Sequence, residues 1–203
     1  MPERAQPRRS QAERRIQTRD RLVEATIESI VELGYARTTA AVICRRSGVS
    51  RGGLFGRFDT VADLIAAAAA EVGQRQIAQF EANFAQLADP GDRQAVLLLL
   101  RESARRPINA VWTELMVAAR TDADLRRCLQ PTLQAYAEAI ARTAGTVPIL
   151  SGVPPERALI ALKIILGFFD GDALYALPFP DPELDRALEG PIETVFSAFL
   201  DLE

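Results

Sequence analysis

Between Thr39 and Phe58 the chain holds two short helical patterns with only Ser47-Gly48-Val49-Ser50 between them, and so short a connection leaves few ways to fold. Gly48 sits where a left-handed backbone ends the first helix without a Cβ clash. Ser50 follows as an N-cap, its hydroxyl placed for a free backbone N–H of the next helix. Ile43, Val49 and Leu54 are spaced to meet in the elbow. Cys44, four residues before Gly48, falls where two helices pack closely and a small side chain fits. The spacing is that of a helix-turn-helix, a motif whose second helix enters the major groove of DNA.

Charge agrees with that reading. The net charge of −3 hides a division: residues 1–58 hold twelve arginines against six acidic residues, and the remainder holds twelve basic against twenty-one acidic residues. A basic N-terminal third on an acidic body is the footprint of a nucleic-acid-binding head joined to a domain with another partner. Charge alone is met equally well by a solvated helix; the turn chemistry favours DNA. At 48% apolar residues the chain can bury a proper core. It has no uncharged apolar run of about 18 residues, so no membrane span is expected. The arginine-rich start lacks an apolar segment and does not read as a secretory signal. Cys44 and Cys128 lie far apart inside helical patterns and read as small core residues in a reducing, cytoplasmic setting.

Along the chain the periodicity is helical throughout, with no strand alternation, internal repeat or low-complexity tract. The expected fold is all-α, about nine helices, in three parts: a basic arm over 1–15, a DNA-binding domain over 16–76 with its helix-turn-helix at 39–58, and a helical body over 77–203. Ser10-Gln11-Ala12-Glu13 has the form of a capping box. It opens a helix with an apolar face through Ile16, Val23, Ile27 and Ile30, which Gly34 ends. Arg4, Arg8, Arg9, Arg14 and Arg15 fit phosphate or minor-groove contacts, and equally a solvated tail. Thr60 to Asp63 caps a long helix from Val61 to about Leu87. Further helices are expected over Asp92–Ala104, from Pro107 to Ala119, and from a cap at Thr121-Asp122 to Ala144 with a kink or break at Pro131. The last two are Pro155 to about Ala176 and Glu183 to Leu202, the latter disturbed at Gly190-Pro191.

Catalysis finds little purchase. The chain contains no histidine, which removes the commonest general base and metal ligand. It has no cysteine pair at zinc spacing and no glycine-rich phosphate loop. Asp170 and Asp172 fit a cation or a polar group of a ligand, or else a helix surface or a subunit contact. No enzyme activity, metal or cofactor is expected. In the second helix of the motif, Arg51 is the natural base reader, because a guanidinium binds guanine O6 and N7 in a bidentate way. Thr39, Ser50 and Arg57 suit phosphate contacts, Arg46 suits the same or solvent, and Gly52 and Gly53 let the backbone approach DNA.

From Thr18 to Leu64 the sequence resembles the DNA-binding domain of the TetR family of bacterial transcriptional regulators. The likeness rests on the ELGY at Glu32 to Tyr35, Thr38-Thr39, Ile43, the GVSRG at Gly48 to Gly52, Leu54, Phe58 and Asp63-Leu64. It implies a dimeric, sequence-specific regulator, a repressor released from a pseudo-palindromic double-stranded operator by a small apolar or aromatic effector. The resemblance puts an effector pocket between the fourth and seventh helices, with Phe80, Phe84, Trp112, Met116, Tyr136 and Ile140 as lining and Glu114 or Arg120 as a polar contact; ordinary core is the other use for such aromatics. It also implies a homodimer through the last two helices. Their composition agrees, since a helix apolar all round needs burial on several sides: Leu159, Leu162, Leu166 and Phe169 in one, Phe196 and Phe199 in the other. An internal core helix of a monomer meets the same composition. Two rivals stand beside the regulator: a helical ligand-binding or interaction protein with a weakened DNA-binding head, and a small helical enzyme using Asp or Glu alone.

The family usually has a tyrosine where Phe55 stands and a lysine where Val61 stands, both touching phosphate. Without them the salt dependence of DNA binding is expected to be shallow. Val61→Lys should tighten non-specific binding and steepen its decline with salt; a salt series that leaves both unchanged would show that this charge does not limit affinity.

Overall fold

Most of the helices begin at a side chain that accepts a backbone N–H, and these caps set the boundaries of the fold. The computed structural model describes residues 11–200, and its elements are helical. They are α1 (Gln11–Leu33), α2 (Ala40–Ser47), α3 (Arg51–Phe55), α4 (Val61–Phe84), α5 (Arg93–Ala104), α6 (Ala110–Ala119), α7 (Ala123–Ala144), α8 (Pro155–Ala176), α9 (Pro182–Ala187) and α10 (Glu189–Leu200). Thr39, Ser50, Thr60, Asp92, Asp122 and Asp181 cap α2, α3, α4, α5, α7 and α9. At Thr60 the cap is reciprocal: its hydroxyl accepts from the Asp63 N–H at 3.1 Å, and the Asp63 carboxylate accepts from the Thr60 N–H at 2.9 Å. The all-α expectation therefore holds. The expected arm residues Arg4, Arg8 and Arg9, the cap at Ser10 and the helix end at Leu202 lie outside the described residues.

Four local expectations are corrected. Pro131 does not break α7, because it lies on the exposed side, where the carbonyl it leaves unbonded faces solvent. The final helix is divided at Leu188, before Gly190-Pro191; Pro191 falls in the first turn of α10, where an intrahelical N–H bond is not needed. Pro107 opens a short 3-10 turn, Pro107–Asn109, ahead of α6. Ile16, placed by its spacing on the apolar face of α1, is 61% exposed, since the first turns of α1 project past the elements that bury Leu22 and Ile30.

Two apolar cores result. The first joins α1, α2 and α3 to α4, α6 and α7 through Leu22, Ile43, Leu54, Leu64, Val72, Leu115 and Leu129. The second joins α5, α8 and α10 through Leu97, Ile165, Phe169, Phe196 and Leu200. The first core does not stop at residue 76, which lies inside α4; it continues into α6 and α7. Buried Thr26 and Ser29 remain satisfied by returning their hydroxyls to the Leu22 and Ala25 carbonyls. Gly34 ends α1 with φ 79°. There the Tyr35 N–H donates to Glu114 Oε2 at 2.8 Å, and the Tyr35 hydroxyl donates to Asp122 Oδ2 at 2.9 Å. Burial, and then this bond, push the Tyr35 hydroxyl up to about 12. No helix among the described residues is long and apolar enough to cross a membrane.

Asp170 and Asp172, neighbours in sequence, face different surroundings. Asp172 joins a four-charge cluster with Arg101 and Arg105 of α5 and Asp185 of α9. Arg105 Nε lies 2.9 Å from Asp172 Oδ2 and Arg101 Nη2 2.7 Å from Asp185 Oδ1. Burial pushes the Asp172 carboxyl up, but hydrogen bonds from Arg105 and Arg101 outweigh it and hold it below the usual carboxylate range. A depressed carboxyl stabilises the fold above its unfolded pKa, and that contribution is lost as pH falls through the folded one. Stability should therefore drop below about pH 4. Asp172→Asn should lower stability at neutral pH by about 3 kcal/mol, because it leaves a buried guanidinium short of its partner, and should flatten the acid limb. Urea unfolding at neutral and acid pH checks both.

Candidate nucleic-acid interface and ligand cavity

The elbow between α2 and α3 is built as the spacing requires. Gly48 takes φ 64° and ψ 21° at the end of α2. Ser47 Oγ accepts the Val49 N–H at 3.2 Å, and Ser50 Oγ accepts the Gly53 N–H at 3.1 Å. Ile43 and Leu54 are fully buried and Val49 nearly so. From α1, Arg21 donates to the Ser47 carbonyl, closing the end of α2. The sequence did not single out Arg21; its position at the end of a turn packed against α1 becomes visible only in three dimensions.

The outer side of α3 presents Arg51, Gly52 and Phe55 to solvent. Arg51 rests over the Phe55 ring, 5.6 Å from its centroid. Such a stack holds an otherwise free side chain near one direction. The two glycines differ. A Cβ on Gly52 would meet nothing within 4 Å, whereas one on Gly53 would lie 2.8 Å from Val49 Cγ1. Gly53 is thus needed by the elbow itself, and Gly52 is free to be needed by something outside the chain. Thr39 uses its hydroxyl oxygen on the Val42 N–H and remains exposed. Arg57 is half-buried and donates to the Gly53 carbonyl at 2.9 Å, fastening the end of α3.

Arg46 departs from the phosphate or solvent reading. Its guanidinium crosses to α1, where Nη1 lies 2.9 Å from Glu32 Oε1 and 3.3 Å from Glu28 Oε2, and Nη2 also meets Glu32. Glu28 and Glu32 are one turn apart, so both point at α2. The hydrogen bond from Arg46 holds the Glu32 carboxyl below its usual range. Arg46 is consequently a tie between α1 and α2.

Farther along the chain, α4, α5, α7, α8 and α10 enclose a cavity of about 360 Å³. Phe80, Tyr136 and Ile140 line it, as expected. The other expected lining residues stand elsewhere. Phe84 stacks on Phe80 at 5.8 Å, outside the cavity. Trp112 backs the wall: it stacks on Tyr136 at 4.9 Å, with ring planes 12° apart, and donates its indole N–H to Gln76 Oε1 at 2.9 Å. Met116 is exposed on α6. Glu114 is the acceptor at the α1–α6 junction, bonded to the Tyr35 N–H, and is no cavity contact. In their place the cavity has Gln76, Ile77, Asn109, Thr143 and Asp170. Burial raises the Asp170 carboxyl, and no hydrogen bond to it is found among the described residues. Burial and the Asp170 charge push the Tyr136 hydroxyl up to about 12.

The set expected at a subunit interface is also redistributed. Leu162 and Leu166 line the cavity, Phe169 is buried in the second core, and Phe196 is buried between that core and the cavity. Leu159 is 52% exposed, and Phe199 is half-buried at an outer groove. Ile164, Phe168, Val195 and Phe199 border that groove between α8 and α10, with no polar side chain along it. Helix α8 is apolar all round because its three sides meet a core, a cavity and an uncovered surface.

The family model described as bacterial regulatory proteins, tetR family, matches residues 22–68. Over 181 residues the chain is 42% identical to the uncharacterized HTH-type transcriptional regulators Rv2912c of Mycobacterium tuberculosis and Mb2936c of Mycobacterium bovis, a match covering 88% of this chain and 92% of each relative. The crystal structure of multidrug binding protein EbrR complexed with imidazole is similar in fold, with a TM-score of 0.67 at 21% identity over 91% of this chain and 96% of that one. A TetR-family member from Streptomyces coelicolor A3, SCO1917, gives a TM-score of 0.65 at 21% identity over 91% and 99%.

The difference between the two glycines gives a test of where DNA lies. Gly52→Leu should change stability by no more than about 0.5 kcal/mol beyond its helix-propensity effect and abolish specific DNA binding. Gly53→Leu should lower stability instead. Thermal melts and anisotropy titrations of both variants read the contrast; full DNA affinity in the Gly52 variant would remove α3 from the groove.

Proposed function

The chain belongs to the TetR family of bacterial transcriptional regulators, and from that premise we propose that it is a homodimeric repressor released from a pseudo-palindromic operator by a small molecule held in its cavity. The observation that carries this reading is the continuity of α4. It is capped at Thr60 beside the helix-turn-helix and reaches the cavity wall at Gln76, Ile77 and Phe80, roughly 24–30 Å farther along the same helix. An occupant that fits better when α4 has moved shifts the population toward that state and shifts the head with it. Linkage makes the effect reciprocal, so operator weakens the occupant's binding by the same factor. The EbrR structures, complexed with imidazole and with ethidium, are consistent with a ligand site in a body of this fold.

The uncovered apolar faces of α8 and α10 support a partner copy. A two-fold axis there makes the contact self-complementary and brings two α3 helices to half-sites about one helical turn, roughly 34–36 Å, apart. In this reading residues 16–76 form the DNA-binding part and 77–203 the ligand-binding and dimerisation part, and the protein works in the cytoplasm, with its DNA. Arg51 reads bases, while Thr39 and Ser50 meet phosphates. A second reading, a ligand-binding protein with a weakened head, is favoured by one observation: Arg46 and Arg57 are both occupied within the chain.

Anisotropy of labelled upstream intergenic DNA, titrated with the protein over a salt series, separates the two. The repressor reading expects tight binding that random DNA competes poorly and that Arg51→Ala abolishes. Binding to no genomic fragment above the random level, across a genome-wide selection, would overturn it in favour of the weakened head.

A further inference from the structure

Helix α3 is five residues long, two of them glycine, and a third glycine, Gly56, follows directly. Residues one turn apart share a face of a helix. Gly52 and Gly56 thus make a bare strip, and Arg51 and Phe55 make the ridge beside it, both exposed, Phe55 at 40%. Arg46 and Arg57 are committed within the chain, the first to Glu28 and Glu32 and the second to the Gly53 carbonyl. No hydrogen bond or ion pair to a described residue holds Arg51. Its guanidinium rests instead on the Phe55 ring, 5.6 Å from the centroid.

Helical side chains lean toward the N-terminus, so the Phe55 ring reaches back beneath the arginine from one turn later. An arginine has several rotatable bonds and gives up their freedom when it docks on a base edge. A guanidinium already lying on an aromatic face has given up part of it before DNA arrives. The glycine strip offers no other side chain that could do this. The ring itself has no hydrogen-bonding group, so it makes no bond to a phosphate or to a base edge. Its use on this face is what it does to Arg51.

We infer that Phe55 is a positioning residue that sets the sequence preference of α3: it holds Arg51 in the direction from which the guanidinium meets guanine O6 and N7, without reading a base itself. The inference rests on the repressor reading, with α3 in the major groove and Arg51 at a guanine. The test takes the genomic fragment that the protein binds. Each guanine of a half-site is replaced in turn by 7-deazaguanine, which lacks the N7 acceptor, and each thymine by uracil, which lacks the methyl group. Anisotropy at low salt, where weakened variants still bind, compares the full chain with Arg51→Ala, Phe55→Leu and Phe55→Tyr. One 7-deazaguanine should weaken the unaltered protein by about ten-fold and leave Arg51→Ala unaffected. Phe55→Leu keeps an apolar side chain and loses the aromatic face. It should weaken operator binding by about three-fold and cut the penalty of that same 7-deazaguanine from about ten-fold to about three-fold. Its affinity for random DNA, its salt dependence and its thermal midpoint should stay as they were. Phe55→Tyr keeps the ring and should keep the full penalty. A penalty undiminished in Phe55→Leu, or lost in Phe55→Tyr as well, overturns the inference. So does a Phe55→Leu loss confined to a thymine methyl, which would make Phe55 a base reader in its own right. Failure of the underlying reading looks different: no fragment is bound above the random level, or Arg51→Ala binds the operator as tightly as the unaltered protein, and either result takes the inference down with it.

Discussion

The approach of α4 to α7 is the contact on which the rest of this molecule depends. At Gly73 a single Cβ would come within 2.9 Å of Tyr136 Cδ2, so the absence of a side chain there lets the ring lie flat against α4. The alanines before it serve the same end: Ala66, Ala68 and Ala69 are buried, and they leave room for Leu125 and Leu129 of α7. Farther up, the Cys128 thiol reaches Asp63, the reciprocal cap of α4, at 3.6 Å. One helix pair thus supports the elbow at one end and the aromatic wall of the cavity at the other. Small residues allow close packing, and close-packed interfaces move between discrete arrangements more readily than they deform.

How much was legible in the residues follows from how local each signal is. The elbow is written in four consecutive residues, and the caps at Thr60, Asp92 and Asp122 lie within three residues of the N–H groups they hold. Those features needed no knowledge of the remainder of the chain. The side-chain rotation of α8 was not legible, because residues on every face are apolar and nothing in the sequence says which neighbour each face meets. Leu162 and Leu166 consequently turned from an outer face to the cavity. The resemblance puts Glu114 at the cavity, yet it lies two residues beyond Trp112 on α6, about 200° around the helix, and so turns to Tyr35 instead. Prolines misled in the same way: Pro131 and Pro191 are governed by exposure and by position within a turn, not by their presence.

Charge is arranged at three depths. Exposed arginines such as Arg51 remain free for an outside partner. Arg46 and Arg75 are bound to carboxylates of α1 across a helix boundary, the first tying α2 to α1 and the second tying α4 to α1. Arg101, 7% exposed, is locked with Arg105 between Asp172 and Asp185. The last group is what holds the short α9 down on α5 and α8, since α9 contributes no buried apolar residue of its own. A segment with little apolar anchorage is thereby fixed by directional bonds, which specify one placement rather than a range of them.

Helix α8 turns Leu162 and Leu166 inward and Ile164 and Phe168 outward. Residues two apart on a helix are about 200° apart around its axis, so no rotation of α8 adjusts one set and leaves the other still. In a pair joined through the outward set, the partner's α8 is packed against the same helix that walls the first cavity. The two cavities would then be separated by little more than two helix diameters of close-packed side chain. In such a pair, a ligand filling one cavity would restrict an α8 against which the partner's α8 packs, so a second ligand would meet a wall already constrained from outside.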